Sequence, residues 1–138
     1  MKFKFLEEIA TADVAFEAYG KTMEEAFSNA ALAMFEVQTD TEKVKPSISN
    51  DVEIVSESKE SLLFDWLSEL LYIRDIKNMF FSKFEIKIEK NKNFKLTGKV
   101  YGERIGGHEK RTEVKGVSYQ MMKIEERPKF KVRVILDV

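Results

Sequence analysis

The sequence predicts an α+β domain in which two helices pack on a largely antiparallel sheet or sheets. Two segments carry apolar residues at three- and four-residue intervals, the spacing of an amphipathic helix. Several other segments alternate apolar and polar residues, which is typical of strands with one buried face. Along the chain these patterns follow the order β-β-α-β-α-β-β-β-β.

The first two strands lie on either side of a break at residues 11–13. Phe3 and Phe5 alternate with lysines, and a second alternating run covers residues 14–19. Gly20 then ends the second strand, before the first helical pattern begins.

Both helices have a recognisable start. Thr22, followed three residues later by Glu25, forms a capping box ahead of a helix over about 23–35. Ser58 is the expected cap of the second helix, whose apolar stripe consists of Leu62, Leu63, Trp66, Leu67, Leu70, Leu71 and Ile73. The Trp66 to Tyr72 part of this stripe allows a partner-binding groove, but its helical spacing favours core.

The remaining segments read as loops and strands. Residues 38–50 are polar and predict a surface loop, followed by a short strand at 52–55. Alternation over 84–89 and 94–100 predicts a hairpin that turns at 91–93, with a loop at 102–108 after it. The last strands are expected within 114–124 and 130–136.

Size and composition limit the classes of protein. The chain has 138 residues, 43% of them hydrophobic, so we expect a single domain over residues 1–138. The 23 basic and 24 acidic residues nearly cancel, which argues against holding nucleic acid through a global positive field. No direct sequence-specific binding of nucleic acid is expected.

Two further absences in the sequence exclude classes of site. There is no cysteine, so a disulfide framework, a cysteine-ligated zinc finger and a thiol nucleophile are all excluded. No apolar run approaches the length of a membrane span, and the N-terminal residues lack the core of a signal peptide. We expect a cytoplasmic protein without membrane contact.

Two carboxylates are candidate metal ligands. Asp13 lies in the break between the first two strands, and Asp137 lies near the end of the last strand. If the first strand or the turn after it lies beside the end of the last strand, both carboxylates and a main-chain oxygen of Val138 can bind a hard cation such as calcium or magnesium. The alternative is that Asp13 is a turn residue and Asp137 a solvated strand end.

The loop at 102–108 offers little support for chemistry. His108 is the only histidine, and without a neighbouring nucleophile it is interpreted as an exposed loop residue. The glycines beside it lack the spacing and the Lys-Ser/Thr ending of a phosphate-binding loop.

An ordered set of segments resembles the archease family over essentially the whole chain. These segments are Glu8 to Val14, Ala18 to Gly20, Asn29 to Phe35, Ser61 to Tyr72, Gly116 to Tyr119 and Val134 to Val138. The resemblance implies a non-catalytic, chaperone-like activator of the RNA-splicing ligase in tRNA splicing, which promotes guanylylation of the ligase's histidine and multiple-turnover ligation. It also implies a metal site, calcium by preference, on Asp13, Asp137 and the main chain of Val138.

The chain departs from the family pattern at two positions. Ala10 and Gln120 stand where family members commonly have histidine. Two alternative functions stay open at this point: a chaperone that modulates a tRNA cytosine methyltransferase, and a stand-alone metal-dependent hydrolase. For the hydrolase, two carboxylates without further acid or base groups provide little of the required chemistry.

Overall fold

The structure is a computed structural model that describes residues 1–6 and 13–138. It confirms the α+β class and the predicted order of elements. In chain order the elements are β1 (Phe3–Phe5), β2 (Asp13–Gly20), α1 (Met23–Glu36), β3 (Ile48–Ser56), α2 (Lys59–Lys77), β4 (Met79–Lys90), β5 (Phe94–Arg104), β6 (Gly116–Glu125) and β7 (Phe130–Asp137).

The strands form two antiparallel sheets, a choice that the sequence pattern left open. One sheet has the order β1-β2-β7-β6 and the other β3-β5-β4. Both helices contact both sheets: α1 packs on β2, β7 and β4, and α2 packs on β6, β3 and β5. The apolar stripes of the two helices therefore meet the inner faces of both sheets in one core.

Both helix caps form near the predicted residues. The Thr22 hydroxyl accepts a hydrogen bond from the Glu25 N–H at 3.1 Å, but the Glu25 carboxylate accepts from Lys21 N–H, one residue earlier than a capping box requires. At α2 the box is complete, because Ser58 and Ser61 each bond the other's backbone N–H.

The stripe of α2 is core, as its spacing predicted. Trp66 is fully buried, and its indole N–H donates to the carbonyl of Phe27 at 3.0 Å, which joins the two helices. Tyr72 is the exception, because it is 58% exposed on the outer side of α2. Its inclusion in the core stripe was wrong, since it lies one residue beyond the buried Leu71 and outside the apolar arc.

Two of the predicted loops are partly strand. Ile48 to Asn50 belong to β3, and Gly102 to Arg104 belong to β5, while β4 begins at Met79 rather than near Phe84. Gly102 lies within β5 rather than in a loop, and the strand needs a glycine there. A Cβ at this position would lie 1.8 Å from the Phe80 carbonyl oxygen, next to a bulge in β4. A glycine in a strand often marks such a close backbone approach.

The strand β6 is interrupted by a wide bulge. Ser118 pairs with Ile135 and the next paired residue is Lys123, opposite Arg133, so four residues on β6 face one on β7. Met121 in the bulge has a positive φ of 62°. In the described part of the chain, no helix is long and apolar enough to cross a membrane.

Candidate metal centre

The two predicted carboxylates lie directly opposite each other. Asp13 is the first residue of β2, Asp137 is the last of β7, and the two are register partners in an antiparallel pair. Residues paired in this way project to the same face of the sheet, with Cβ atoms about 4.5–5.5 Å apart. The fold therefore brings together two acids that are 124 positions apart in the sequence.

Alternation along each strand sets the direction of both side chains. Val14 and Leu136, the neighbours of the two acids, pair with each other and pack into the core, with Leu136 fully buried. Asp13 and Asp137 must then point to the opposite face, because successive side chains alternate. Val138 packs against the core as well, which anchors the main chain directly after Asp137.

The third strand at this site contributes a glycine. Gly116 of β6 pairs with Asp137 on the side away from Asp13, and a Cβ placed on it would meet no atom of the described residues within 4 Å. The neighbouring Lys115 N–H donates to the Asp137 carbonyl at 2.8 Å, which fixes the strand end. Within residues 1–6 and 13–138, nothing therefore fills the space beside the carboxylate pair at Gly116.

The charges of the pair are not balanced by the residues around it. Asp137 is exposed and Asp13 half-buried, and within residues 1–6 and 13–138 neither takes part in an ion pair. Like charges directly opposite each other destabilise a strand pair. Two hard oxygen donors with unbalanced negative charge fit calcium or magnesium, and the described residues place no third His, Asp or Glu with them. Water or a partner's atoms would complete the coordination.

Of the two positions that depart from the family pattern, the structure describes Gln120 but not Ala10. Gln120 lies in the β6 bulge, exposed, with its backbone N–H donating to the Ser118 hydroxyl at 3.2 Å. Ala10, together with Glu7 and Glu8, falls outside the described residues.

His108 is not the exposed loop residue that the sequence suggested. Its side chain is only 11% exposed, with Nε2 2.7 Å from the Glu103 carboxylate and Nδ1 accepting from the Gly106 N–H at 3.1 Å. The ring also packs edge-on against Phe80, with centroids 5.9 Å apart. The interpretation was wrong because the two glycines turn the loop back onto β4 and β5, and the histidine has a structural role there.

Two residues at potential sites were missed from the sequence. The sequence placed Gly116 in a predicted strand but not at the site, because its position beside Asp137 depends on which strands pair. Arg74 did carry a signal: it lies four residues after Leu70 on the apolar stripe of α2, and it is only 8% exposed. Buried arginine is rare unless it is paired, so such a position is informative.

The chain is similar to known proteins over nearly its whole length. Residues 3–138 match the family model described as the Archease protein family (MTH1598/TM1083). The protein archease of Methanothermobacter thermautotrophicus is 52% identical, covering 99% of this chain and 98% of that protein. The protein archease of Sulfurisphaera tokodaii is 46% identical, covering 91% and 90%.

Two solved structures share the fold. The solution structure of Methanobacterium thermoautotrophicum protein 1598 has a TM-score of 0.86 at 49% identity, covering 99% of each chain. The crystal structure of an archease from Thermotoga maritima, described there as a possible chaperone, has a TM-score of 0.64 at 22% identity, covering 94% of this chain and 93% of that one. By its sequence and its fold, this chain belongs to the archease family.

Proposed function

We propose that this protein is a non-catalytic activator of the RNA-splicing ligase in tRNA splicing, acting in the cytoplasm through a metal ion held by Asp13, Asp137 and the main chain of Val138. One observation carries the proposal: two carboxylates 124 positions apart in sequence are direct register partners, point to one face and have no described cation to balance them. Membership of the archease family supports the choice of partner.

The residues of this chain would bind and present the ion. Asp13 and Asp137 supply two negatively charged oxygen donors, and calcium, which accepts irregular sets of oxygen ligands, suits them better than the stricter magnesium. When bound, the ion would supply positive charge that can orient the phosphate oxygens of a nucleotide. Gly116 leaves the β6 side of the pair open, so that groups of the ligase have room to approach.

The chemistry itself is assigned to the ligase. The histidine that becomes guanylylated belongs to the ligase in this proposal, whereas His108 of this chain is held by Glu103 and packs on Phe80 of the other sheet. The carboxylate pair therefore acts as a binding site rather than as the acid and base of a hydrolase.

A second candidate, a chaperone for a tRNA cytosine methyltransferase, is favoured by a different observation. The described large apolar side chains that are about half exposed or more include Tyr72 and Ile76 on α2 (58% and 57%), and Tyr119 and Met121 in the β6 bulge (50% and 53%). Exposed apolar side chains are candidates for contact with another protein where they form a continuous patch. This function would depend on these apolar side chains and not on the acids.

The decisive experiment compares multiple-turnover ligation by the cognate ligase with the wild type, Asp13→Asn and Asp137→Asn. A matched control is Asp51→Asn, which removes an exposed carboxylate on β3 whose one ion-pair partner among the described residues is the surface residue Lys99. We expect stimulation by the wild type and the control, and none by either site variant, although all four remain folded. Full stimulation by Asp13→Asn and Asp137→Asn would refute the metal-based proposal. Loss of methyltransferase solubility on changing Tyr72 and Met121 to serine, with no effect on ligation by any variant, would favour the second candidate.

A further inference from the structure

A cavity of about 430 Å³ lies between the last turn of α2 and the segment 105–113 that leads to β6. Its volume falls within the range of small-molecule sites. Phe80 and Ile105 give it an apolar part, whereas Arg74, Lys110 and Arg111 give it three cations. Its lining contains neither carboxylate of the proposed metal site and none of the exposed apolar side chains named above.

Arg74 is held rigidly in the wall of this cavity. Its Nη1 donates to the Gln38 side-chain oxygen at 2.7 Å and to the Val114 carbonyl at 2.8 Å, and its Nε donates to Asp75 at 2.8 Å. Gln38 is fixed in turn, since its amide nitrogen donates to the Met34 carbonyl at 3.1 Å. A guanidinium with so many fixed bonds is oriented before any ligand arrives, which lowers the entropic cost of binding.

One donor group of Arg74, Nη2, has no acceptor among the described residues. Among the residues that the structure describes, Nη2 donates to no protein acceptor, although the side chain is 91% buried. Nη2 is also not among the described buried polar atoms that lack a partner, so it keeps some contact with solvent, and Arg74 is one of the residues that line the cavity. Lys110 is exposed at the rim, and it makes no ion pair with a described residue.

The other charges around the cavity are already engaged or peripheral. Asp75 binds Arg74 through Nε, and Arg111 pairs with Glu109 and Glu36. Glu113 is an exposed carboxylate in the lining. The lining thus has three cations against two carboxylates, and the cationic donors left for a ligand are Arg74 Nη2 and Lys110 Nζ.

We propose that this cavity binds a small molecule that bears an oxyanion, either a phosphate monoester or a carboxylate, on Arg74 Nη2 and Lys110 Nζ. The rest of the ligand lies against Phe80 and Ile105. Charge-assisted hydrogen bonds from guanidinium and ammonium groups to oxyanions are stronger than neutral ones, and the burial of Arg74 partly protects its bond from water.

The test is a titration of the full chain by ¹H–¹⁵N NMR with phenyl phosphate and with benzoate, beside inorganic phosphate and the neutral compound phenol. We expect saturable shifts of the Arg74 Nε–H signal and of the amides of 105–113 with phenyl phosphate or benzoate. Binding is expected to be weaker with inorganic phosphate, which lacks the apolar part, and absent with phenol. Whichever of phenyl phosphate and benzoate binds more tightly identifies the oxyanion.

Charge-reversal variants make the test specific. Lys110→Glu should weaken binding by about tenfold or more, because a charge-assisted bond is lost and a repulsive charge is added. Lys92→Glu makes the same charge change in the exposed β4–β5 turn and should leave binding unchanged. Equal affinity in both variants, shifts spread over distant surface lysines, or no saturable shift with any oxyanion would overturn the proposal. None of these readouts uses the ligase, so they are independent of the proposed activation.

Discussion

Asp13 and Asp137 face each other across the β2–β7 pair, two carboxylates at the end of the register and directly beside the apolar pair of Val14 and Leu136. The neighbouring partners, Val14 with Leu136, pack into the core and fix the register, so neither acid can move away by a slip of the strand. The fold thus keeps two like charges together at a cost in stability. Repulsion of this kind between two carboxylates is expected at a site that binds a cation, because local rules of stability are commonly broken at functional sites.

Neutralising one of these acids should stabilise the protein when metal is absent. Asp137→Asn keeps the size of the side chain and removes the repulsion, so the free energy of unfolding in EDTA should rise by about 0.2–1 kcal/mol. With calcium the order should reverse, because only the wild type gains stability from binding. Urea denaturation with and without calcium measures both effects. A calcium-dependent gain of equal size in both proteins would contradict the assignment.

Two glycines in strands should respond oppositely to alanine. Gly102→Ala places a methyl group against the Phe80 carbonyl and should destabilise the protein by about 1–3 kcal/mol. Gly116→Ala has open space and no positive φ, so it should be neutral or should stabilise by about 0.4–1 kcal/mol. Thermal denaturation of the two variants side by side tests the contrast.

A larger residue at Gly116 separates metal binding from access. Gly116→Leu should retain calcium binding, since it removes no ligand, but should reduce stimulation of the ligase by filling the open side of the site. Calorimetry and the ligation assay on the same preparation provide the two readouts. Undiminished stimulation would show that the ligase approaches from another direction.

Replacing Arg74, a buried residue in the wall of the cavity, should lower the stability of the protein strongly. Arg74→Leu leaves the Gln38 oxygen and the Val114 carbonyl without their donor, which should lower the free energy of unfolding by about 2–4 kcal/mol. Lys77→Leu, at an exposed position one turn later on α2, should change it by no more than about 0.5 kcal/mol. Chemical denaturation of the two variants checks the difference, and equal costs would show that the buried hydrogen bonds of Arg74 contribute nothing.

The Glu103 carboxylate should make stability dependent on pH on the acid side. Its hydrogen bond with His108, and then the N–H of Lys45, hold the pKa of Glu103 below its ordinary value. A lowered folded-state pKa stabilises the fold above the ordinary value of about 4.3, and this contribution is lost as pH falls through the folded-state pKa. Denaturation of the wild type and Glu103→Gln between about pH 6 and 3 should show a steeper loss in the wild type. Parallel curves would contradict this role.

Much of the fold is predictable because its periodic patterns agree with its turns and caps. The stripe of α2 after Ser58 and the alternation around Asn91 to Asn93 each combine a pattern with a local stop or start signal. The predictions that were wrong concern residues whose structure is determined by contacts with distant parts of the chain. Gly102 pairs with Phe81 and lies against the Phe80 carbonyl of β4, and His108 is held by Glu103 of β5 and the ring of Phe80.

The candidate site was predictable only in part. Asp13 and Asp137 stood out as acids at strand ends, but their pairing depends on β2 lying beside β7, a long-range contact that local pattern does not specify. The division into two sheets and the position of Gly116 depend on the same kind of information. Arg74 was visible as a charge on an apolar stripe, whereas its hydrogen-bond partners come from distant segments.

Calcium binding to the purified protein, measured by isothermal titration calorimetry, tests the central claim most directly. The wild type and Asp51→Asn should each bind one ion with modest affinity, as expected for a site with only two carboxylates, and Asp13→Asn and Asp137→Asn should show no measurable binding. Unchanged binding in both site variants, or no binding of calcium or magnesium by the wild type, would contradict the assignment of the facing carboxylates as a metal site.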